Sequence, residues 1–284
     1  MKSDNLKTKI FLDSGDPKET FEVFQELSFL DGQTTNPSLV LKNPVINQKF
    51  LSGQKFIKDS LKAEYKKIIQ EISDIIPGGA VSSEVYVDQA TTLDQILMEA
   101  REMSNWAENV YVKIPVTKVG LEAAEILARE KVKLNITLIF SQKQALAVHL
   151  ATLGAKKGDV FVSPFIGRLD DIGLNGLDLP LNIQKMFYEL NSHVEVLAAS
   201  IRNKEHFNSC LAYKIDIITA PKLVLLEWYH DANQIFKVKN SDTLSNIQFE
   251  NLNTNSDWRD IDISHELTTK GLEKFVSDWN SLFK

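Results

Sequence analysis

Short apolar runs rich in β-branched residues recur along this chain. Between them lie longer stretches whose apolar residues return every third or fourth position. The first pattern predicts strands and the second helices. The runs are TKIFLD (8–13), GQTTN (32–36), AVSSEVYV (80–87), VYVKIP (110–115), VKLNITLIF (132–140), DVFVSPF (159–165), HVEVLAAS (193–200) and IDIITAP (215–221). DPKETFEVFQEL (16–27), TLDQILMEAREMSNWA (92–107) and GLEAAEILAREK (120–131) have helical spacing, and QKFIKDSLKAEYKKIIQEI (54–72) adds helix to the long connection 37–79. Strand and helix alternating in this way imply a parallel sheet with right-handed crossovers. Eight strands within residues 1–228 predict an α/β fold of the closed (β/α)8 TIM-barrel type. An open doubly wound sheet is the alternative, but no G-x-G-x-x-G follows the first strand, as a dinucleotide site would need.

Past Trp228 the pattern changes. Residues 231–258 are rich in Asn, Asp and Ser, which predicts a loop-like excursion, bounded at 229–263, rather than core. A helix then closes the chain across 264–284, where Leu272, Phe275, Val276, Trp279, Leu282 and Phe283 form one apolar stripe. Such a helix must dock, on its own barrel or on a neighbouring subunit.

Composition narrows the class. With 43% hydrophobic and 25% charged residues, the chain can build a sizeable core and is not a disordered polymer. Its net charge of −6, without any long Lys/Arg-rich run, argues against nucleic acid as a partner. A local arginine cluster can still hold a small anion on such a protein. Cys210 is the only cysteine, which excludes an intramolecular disulfide and fits a cytoplasmic home. MKSDNLKTKIFLDSG has no apolar stretch suited to a signal peptide, and no later run approaches a membrane span. A soluble cytoplasmic protein with no membrane partner is therefore expected. Asn135-Ile-Thr137 matches the glycosylation pattern but lies inside an apolar strand and is discounted.

In a (β/α)8 barrel, active sites form at the C-terminal ends of the strands. There the predicted strands carry Asp13, Asn36, Glu84, Lys113, Asn135, Thr137, Ser163, Ser200 and Thr219. Asn135 and Thr137 are two apart and point the same way. Each residue has an ordinary alternative. Lys113 can snorkel to solvent, Asp13 and Asn36 can form turns or cap helices, and Ser163 and Ser200 can be small core fillers. Glu84 is harder to dismiss, because an unpaired carboxylate within a strand is costly. Arg168 and Arg202 follow strands 6 and 7, near where barrels build phosphate sites, with solvated surface arginine as the alternative. None of His149, His193, His206, His230 and His265 makes a pair with metal-ligand spacing. There is no G-x-S-x-G elbow and no P-loop, and Cys210 in HFNSCLAY reads as packing. The ionisable set left is Asp, Glu and Lys, which suits covalent catalysis through a Schiff base.

Six segments carry a resemblance: DGQTTNPSL (31–39), VYVKIPVTKVGLEA (110–123), NITLIFSQKQA (135–145), VSPFIGRLDDIGLNG (162–176), LAASIRN (197–203) and HELTTKGLEKFVSDW (265–279). They resemble the transaldolase family, class I aldolase-type enzymes of the non-oxidative pentose phosphate pathway in carbohydrate metabolism. The likeness covers most of residues 8–228 and the final helix. The 231–258 stretch has no counterpart in the family pattern. The resemblance implies Lys113 as the Schiff-base lysine and Asp13 as the group moving the substrate hydroxyl proton. Glu84, with a water and Thr137, would handle protons in carbinolamine and imine chemistry. Asn36 and Asn135 would orient the dihydroxyacetone unit with Ser163 close by, while Arg168, Ser200 and Arg202 would hold the sugar phosphate.

An amine attacks a carbonyl only when unprotonated. Burial favours a neutral lysine, while Glu84 and Asp13, if ionised and close, would oppose that. The resemblance implies sedoheptulose 7-phosphate and fructose 6-phosphate as donors, erythrose 4-phosphate and glyceraldehyde 3-phosphate as acceptors, and no metal or organic cofactor. Short-branch relatives form pentamer-based rings held partly by the last helix, so a homo-oligomer is implied too. The near relatives, fructose-6-phosphate aldolases, release free dihydroxyacetone. They resemble this chain with a glutamine for Glu84 and a tyrosine for Phe165, whose hydroxyl frees the ketone. Glu84 and Phe165 are the transferase-like pair. A non-catalytic barrel scaffold is the third reading, and such a scaffold has no need for Lys113, Asp13 and Glu84.

Overall fold

The chain runs through β1 (Lys9–Asp13), α1 (Pro17–Leu27), β2 (Gly32–Thr34), α2 (Pro37–Lys42), α3 (Pro44–Leu51), α4 (Lys58–Ile75), β3 (Ala80–Glu84), α5 (Leu93–Ser104), β4 (Val110–Pro115) and α6 (Lys118–Arg129). It continues through β5 (Leu134–Ile139), α7 (Gln142–Ala151), β6 (Val160–Pro164), α8 (Ile166–Asp170), α9 (Asp178–Glu189), β7 (Val194–Ala198), α10 (Lys204–Ala212), β8 (Ile217–Ala220), α11 (Lys222–His230) and α12 (Glu266–Ser281). The computed structural model describes residues 6–52, 58–231 and 244–281. Residues 54–57 of the predicted second-connection helix, residues 232–243 of the Asn-rich stretch, and Leu282 and Phe283 lie outside the described residues.

Every strand pairs in parallel with its sequence neighbour, and β1 closes on β8. This is the (β/α)8 barrel that the alternating pattern predicts. Strand period sorts the residues. In β4, Val112 and Ile114 pack toward the helices, while Tyr111 and Lys113 take the other face. The barrel's lower layer is aromatic: Phe161 stacks on Tyr111 with ring centroids 4.4 Å apart and meets Phe11 edge-on at 6.1 Å. Gly32 makes room for that layer, since a Cβ there would lie 2.6 Å from the Phe11 ring. One layer up, the same strands carry Asp13, Lys113 and Ser163.

The strands are shorter than the apolar runs suggest. β2 stops at Thr34 and β3 at Glu84, so Thr35 and Asn36 belong to the loop above the barrel. β5 is interrupted: Leu138 has φ 60°, and the pairing with β6 shifts register between Ile136 and Ile139. For a leucine this left-handed backbone is costly and needs outside support. Thr268, near the start of α12, donates to the Leu138 carbonyl at 2.9 Å, and Gln144 Nε2 donates to Thr268 at 2.8 Å.

α12 docks on its own barrel through buried Phe275 and Trp279, with Asp278 bonded to Ser38 of α2. Part of the Asn-rich region is stitched down. Residue Ile247 donates to Asp178, Glu250 donates to Gln142, and Trp258 is buried with its indole N–H on Glu125 at 3.1 Å. The expectation of an excursion outside the core fails at Trp258, which an Asn/Asp/Ser count cannot register. Among the described residues no helix is long and apolar enough to cross a membrane.

Candidate active site

A cavity of about 160 Å³ opens at the C-terminal ends of the strands. Its wall includes Asp13, Asn36, Lys113, Ser163, Phe165, Arg168, Ser200 and Thr219 from the sequence-stated candidates, together with Thr34, Ser38, Leu39, Ala199 and Phe275.

Lys113 is 3% exposed. Its Nζ donates to Glu84 Oε2 at 2.8 Å and to the Thr35 carbonyl at 3.1 Å. Register explains the meeting, because Glu84 and Asn135 are the direct partners of Lys113 on the strands to either side. Snorkelling is thus not what this lysine does. Desolvation is the largest influence on Glu84 and pushes its carboxyl above the usual range, against the opposing pull of Lys113. Burial of this kind favours the protonated, uncharged form of the Glu84 carboxyl.

Asp13 ends β1 and accepts from Thr34 Oγ1 at 2.6 Å, and Thr34 in turn is 2.6 Å from Thr219 Oγ1. The turn-former alternative falls to Asp16, which caps α1. Desolvation raises Asp13 as well, with the Thr34 bond and then the Lys113 and Lys42 charges opposing. Asn36 both caps a helix and faces the cavity. Its Oδ1 caps α2 by accepting from Leu39 N at 3.0 Å, while the residue also lines the cavity.

Asn135 is fully buried, donating to Ser82 Oγ at 3.0 Å and accepting from Ser163 Oγ at 2.6 Å. Thr137 is buried next to the left-handed Leu138, and its Oγ1 has no partner among the described residues. An orphaned buried hydroxyl at an active site is a place for a water or a substrate group.

The two arginines differ. The Arg168 guanidinium lies 5.0 Å from the Phe165 ring centroid and 5.5 Å from that of Phe275, held by two aromatic faces. Burial lowers it from the ordinary arginine value, and it makes no ion pair among the described residues. Gly271 permits the arrangement, since a Cβ would come 2.6 Å from Arg168 Nη1. Arg202, by contrast, is 48% exposed, sits on Asp171 with its Nη2 at 2.5 Å, and does not line the cavity. Ser200 does, with φ 58°. Thr34, Ser38, Leu39, Ala199 and Phe275 are the wall residues that sequence reading did not name as site groups. Thr34 had a signal in TTN at the end of a strand; Phe275 had only its place in an apolar stripe.

A family model described as Transaldolase/Fructose-6-phosphate aldolase matches residues 10–284. The chain belongs to that family. It is 35% identical to a probable transaldolase of Caulobacter vibrioides (strain NA1000 / CB15N) over 96% of this chain and 97% of the relative. It is 35% identical to a probable transaldolase of Brucella ovis over 95% and 96%, and 34% identical to one of Lactiplantibacillus plantarum over 96% and 97%. The chain is therefore an enzyme, and by the name its relatives carry a transferase.

Proposed function

We propose that the chain is a transaldolase, moving a dihydroxyacetone unit between sugar phosphates through a Schiff base on Lys113. The observation that carries this is the buried Lys113–Glu84 pair at 2.8 Å, with Lys113 on the wall of the cavity that also holds Asp13. In the neutral form of that pair, Nζ attacks the C2 carbonyl of the donor ketose. The Glu84 acid protonates the departing hydroxyl, water leaves, and the imine forms. A water at Thr137 Oγ1 would relay these protons. Asp13, whose raised value makes it a better base once ionised, takes the C4 hydroxyl proton. The C3–C4 bond breaks, its electron pair passes into the imine to give an enamine, and the aldehyde departs. The steps then reverse on the acceptor.

Asn36, Asn135 and Ser163 would hold the three-carbon unit by hydrogen bonds without supplying a strong acid. Phe165 beside the cavity has no hydroxyl, which supports transfer over release of dihydroxyacetone. The phosphate would meet Arg168 first, with Ser200 nearby and Arg202 reaching it only by leaving or sharing Asp171. Donors would be sedoheptulose 7-phosphate or fructose 6-phosphate, and acceptors glyceraldehyde 3-phosphate or erythrose 4-phosphate, in the cytoplasmic non-oxidative pentose phosphate pathway. The catalytic unit would be the barrel of residues 1–228 with the 264–284 helix, whose Phe275 walls the cavity, and 229–263 linking them. A homo-oligomer fits the family.

Borohydride reduction in the presence of fructose 6-phosphate tests this. Hydride adds to the C=N bond, and mass spectrometry should find the three-carbon adduct on Lys113. No adduct, or one on another lysine, would overturn the reading.

A further inference from the structure

The two groups that hold Lys113 Nζ are themselves held by one residue outside the cavity. Nζ donates to the Glu84 side chain and to the Thr35 carbonyl. The backbone N–H of Glu84 donates to the hydroxyl of Tyr65, on α4, at 2.8 Å. That hydroxyl is 2.7 Å from Thr35 Oγ1. Thr35 Oγ1 donates its own proton to the Ser82 carbonyl at 2.8 Å, which makes the Tyr65 O–H the donor to Thr35, with the Ser83 side chain as a further neighbour of that hydroxyl. The chain of donors is therefore directed throughout: Glu84 N–H, Tyr65 O–H, Thr35 O–H, Ser82 C=O. It ties the strand end that carries Glu84 to the loop whose carbonyl receives the lysine.

Tyr65 is 1% exposed and does not line the Lys113 cavity, so it has no route to substrate. Burial pushes its phenol up to about 12, which keeps it a donor across the working range of an enzyme. Its ring is fixed edge-on by Trp106 at 5.6 Å and by Trp279 of α12 at 5.7 Å. The same helix places Phe275 5.7 Å from Lys113 Nζ.

We infer that Tyr65 is a positioning residue for the imine-forming lysine, setting through Glu84 and Thr35 the direction in which Nζ points. The inference rests on the Schiff-base reading above. A wider role in packing is the competing account, and the ring contacts alone would satisfy it. The hydrogen-bond chain separates the two. Tyr65→Phe keeps the ring and removes one hydroxyl, and Thr35→Val removes the next hydroxyl without touching the aromatic cluster. Trp106→Phe alters the cluster and leaves the chain intact.

The rate of borohydride trapping with fructose 6-phosphate should be followed against pH in all three variants, with the melting temperature of each. Tyr65→Phe and Thr35→Val should trap roughly 10- to 100-fold more slowly, the penalty of a misdirected reacting group. Their pH profiles for trapping should be displaced from wild type, and kcat should fall far more than KM changes. Trp106→Phe should trap at the wild-type rate whatever its melting temperature. Wild-type trapping rate and pH profile in Tyr65→Phe or Thr35→Val, or equal slowing by Trp106→Phe, would overturn the inference and leave the Schiff-base reading standing. Should Tyr65→Phe not fold, Thr35→Val decides alone. Wild-type protein that never traps would overturn both.

Discussion

Glu84 and Lys113 are register partners on adjacent parallel strands, and their side chains meet at 2.8 Å with almost no exposure to water. Two opposite charges in such a place would each lose hydration, and only tight mutual geometry makes the pair tolerable. A barrel kept for structure has cheaper ways to fill this layer. Glu84→Gln keeps the shape and removes the proton. Imine formation should slow by about 10²–10⁴, the usual worth of general acid–base help, with Lys113 still the trapped residue. Rapid-mixing trapping measurements check this.

Asp13 acts after the imine exists. Asp13→Asn keeps a group that can accept from Thr34, at 2.6 Å in the native site, but cannot take the C4 proton. Turnover should fall by about 10²–10⁴ while borohydride trapping on Lys113 persists. Loss of both together would place Asp13 in imine formation instead.

Arg168 is the guanidinium on the cavity wall, seated between Phe165 and Phe275. Arg168→Ala should raise KM for phosphorylated donors by about 10- to 100-fold, the cost of losing charged hydrogen bonds, and leave unphosphorylated dihydroxyacetone little affected. Gly271→Ala should act in the same direction, because its Cβ would meet Arg168 Nη1 at 2.6 Å and Leu138 Cδ2 at 2.7 Å. Initial-rate kinetics with both substrate types tests the pair.

Phe165 lines the cavity without a proton to give. Phe165→Tyr adds one hydroxyl there. Release of free dihydroxyacetone from fructose 6-phosphate in the absence of acceptor should rise, measured by a coupled reduction assay. An unchanged release rate would mean that Phe165 is not what protects the enamine.

Stability should carry a separate pH signature from the other side of the barrel. Burial, with the neighbouring charges of His149 and Lys157, holds His193 down from 6.5 to about 4, and burial lowers His149 too. Between those values the unfolded chain binds protons that the folded chain refuses. Stability from this site is thus fully present above 6.5 and is lost as pH falls toward about 4. His193→Gln should flatten the fall of melting temperature across that window, read by calorimetry.

The barrel was legible because strand and helix periods alternate cleanly from Lys9 to His230, and because inward parity puts Asp13, Glu84, Lys113, Asn135 and Ser163 at one level. What stayed hidden depends on loops and on tertiary contact. Thr35 and Asn36 read as strand because an extended loop and a strand end share composition. Leu138 gives no warning of its left-handed backbone, which Thr268 supports from far along the chain. Tyr65 lies in an amphipathic helix, where a tyrosine reads as packing; its hydroxyl matters only once Glu84 and Thr35 are beside it. Asp171 takes Arg202 through loop placement that no spacing rule anticipates.

The most direct measurement is glyceraldehyde 3-phosphate formation from fructose 6-phosphate, with and without erythrose 4-phosphate. Sustained turnover only when the acceptor is present is the predicted result, since the enamine on Lys113 should wait for it. Steady turnover without acceptor, with free dihydroxyacetone accumulating, would contradict the transferase account and make the enzyme an aldolase.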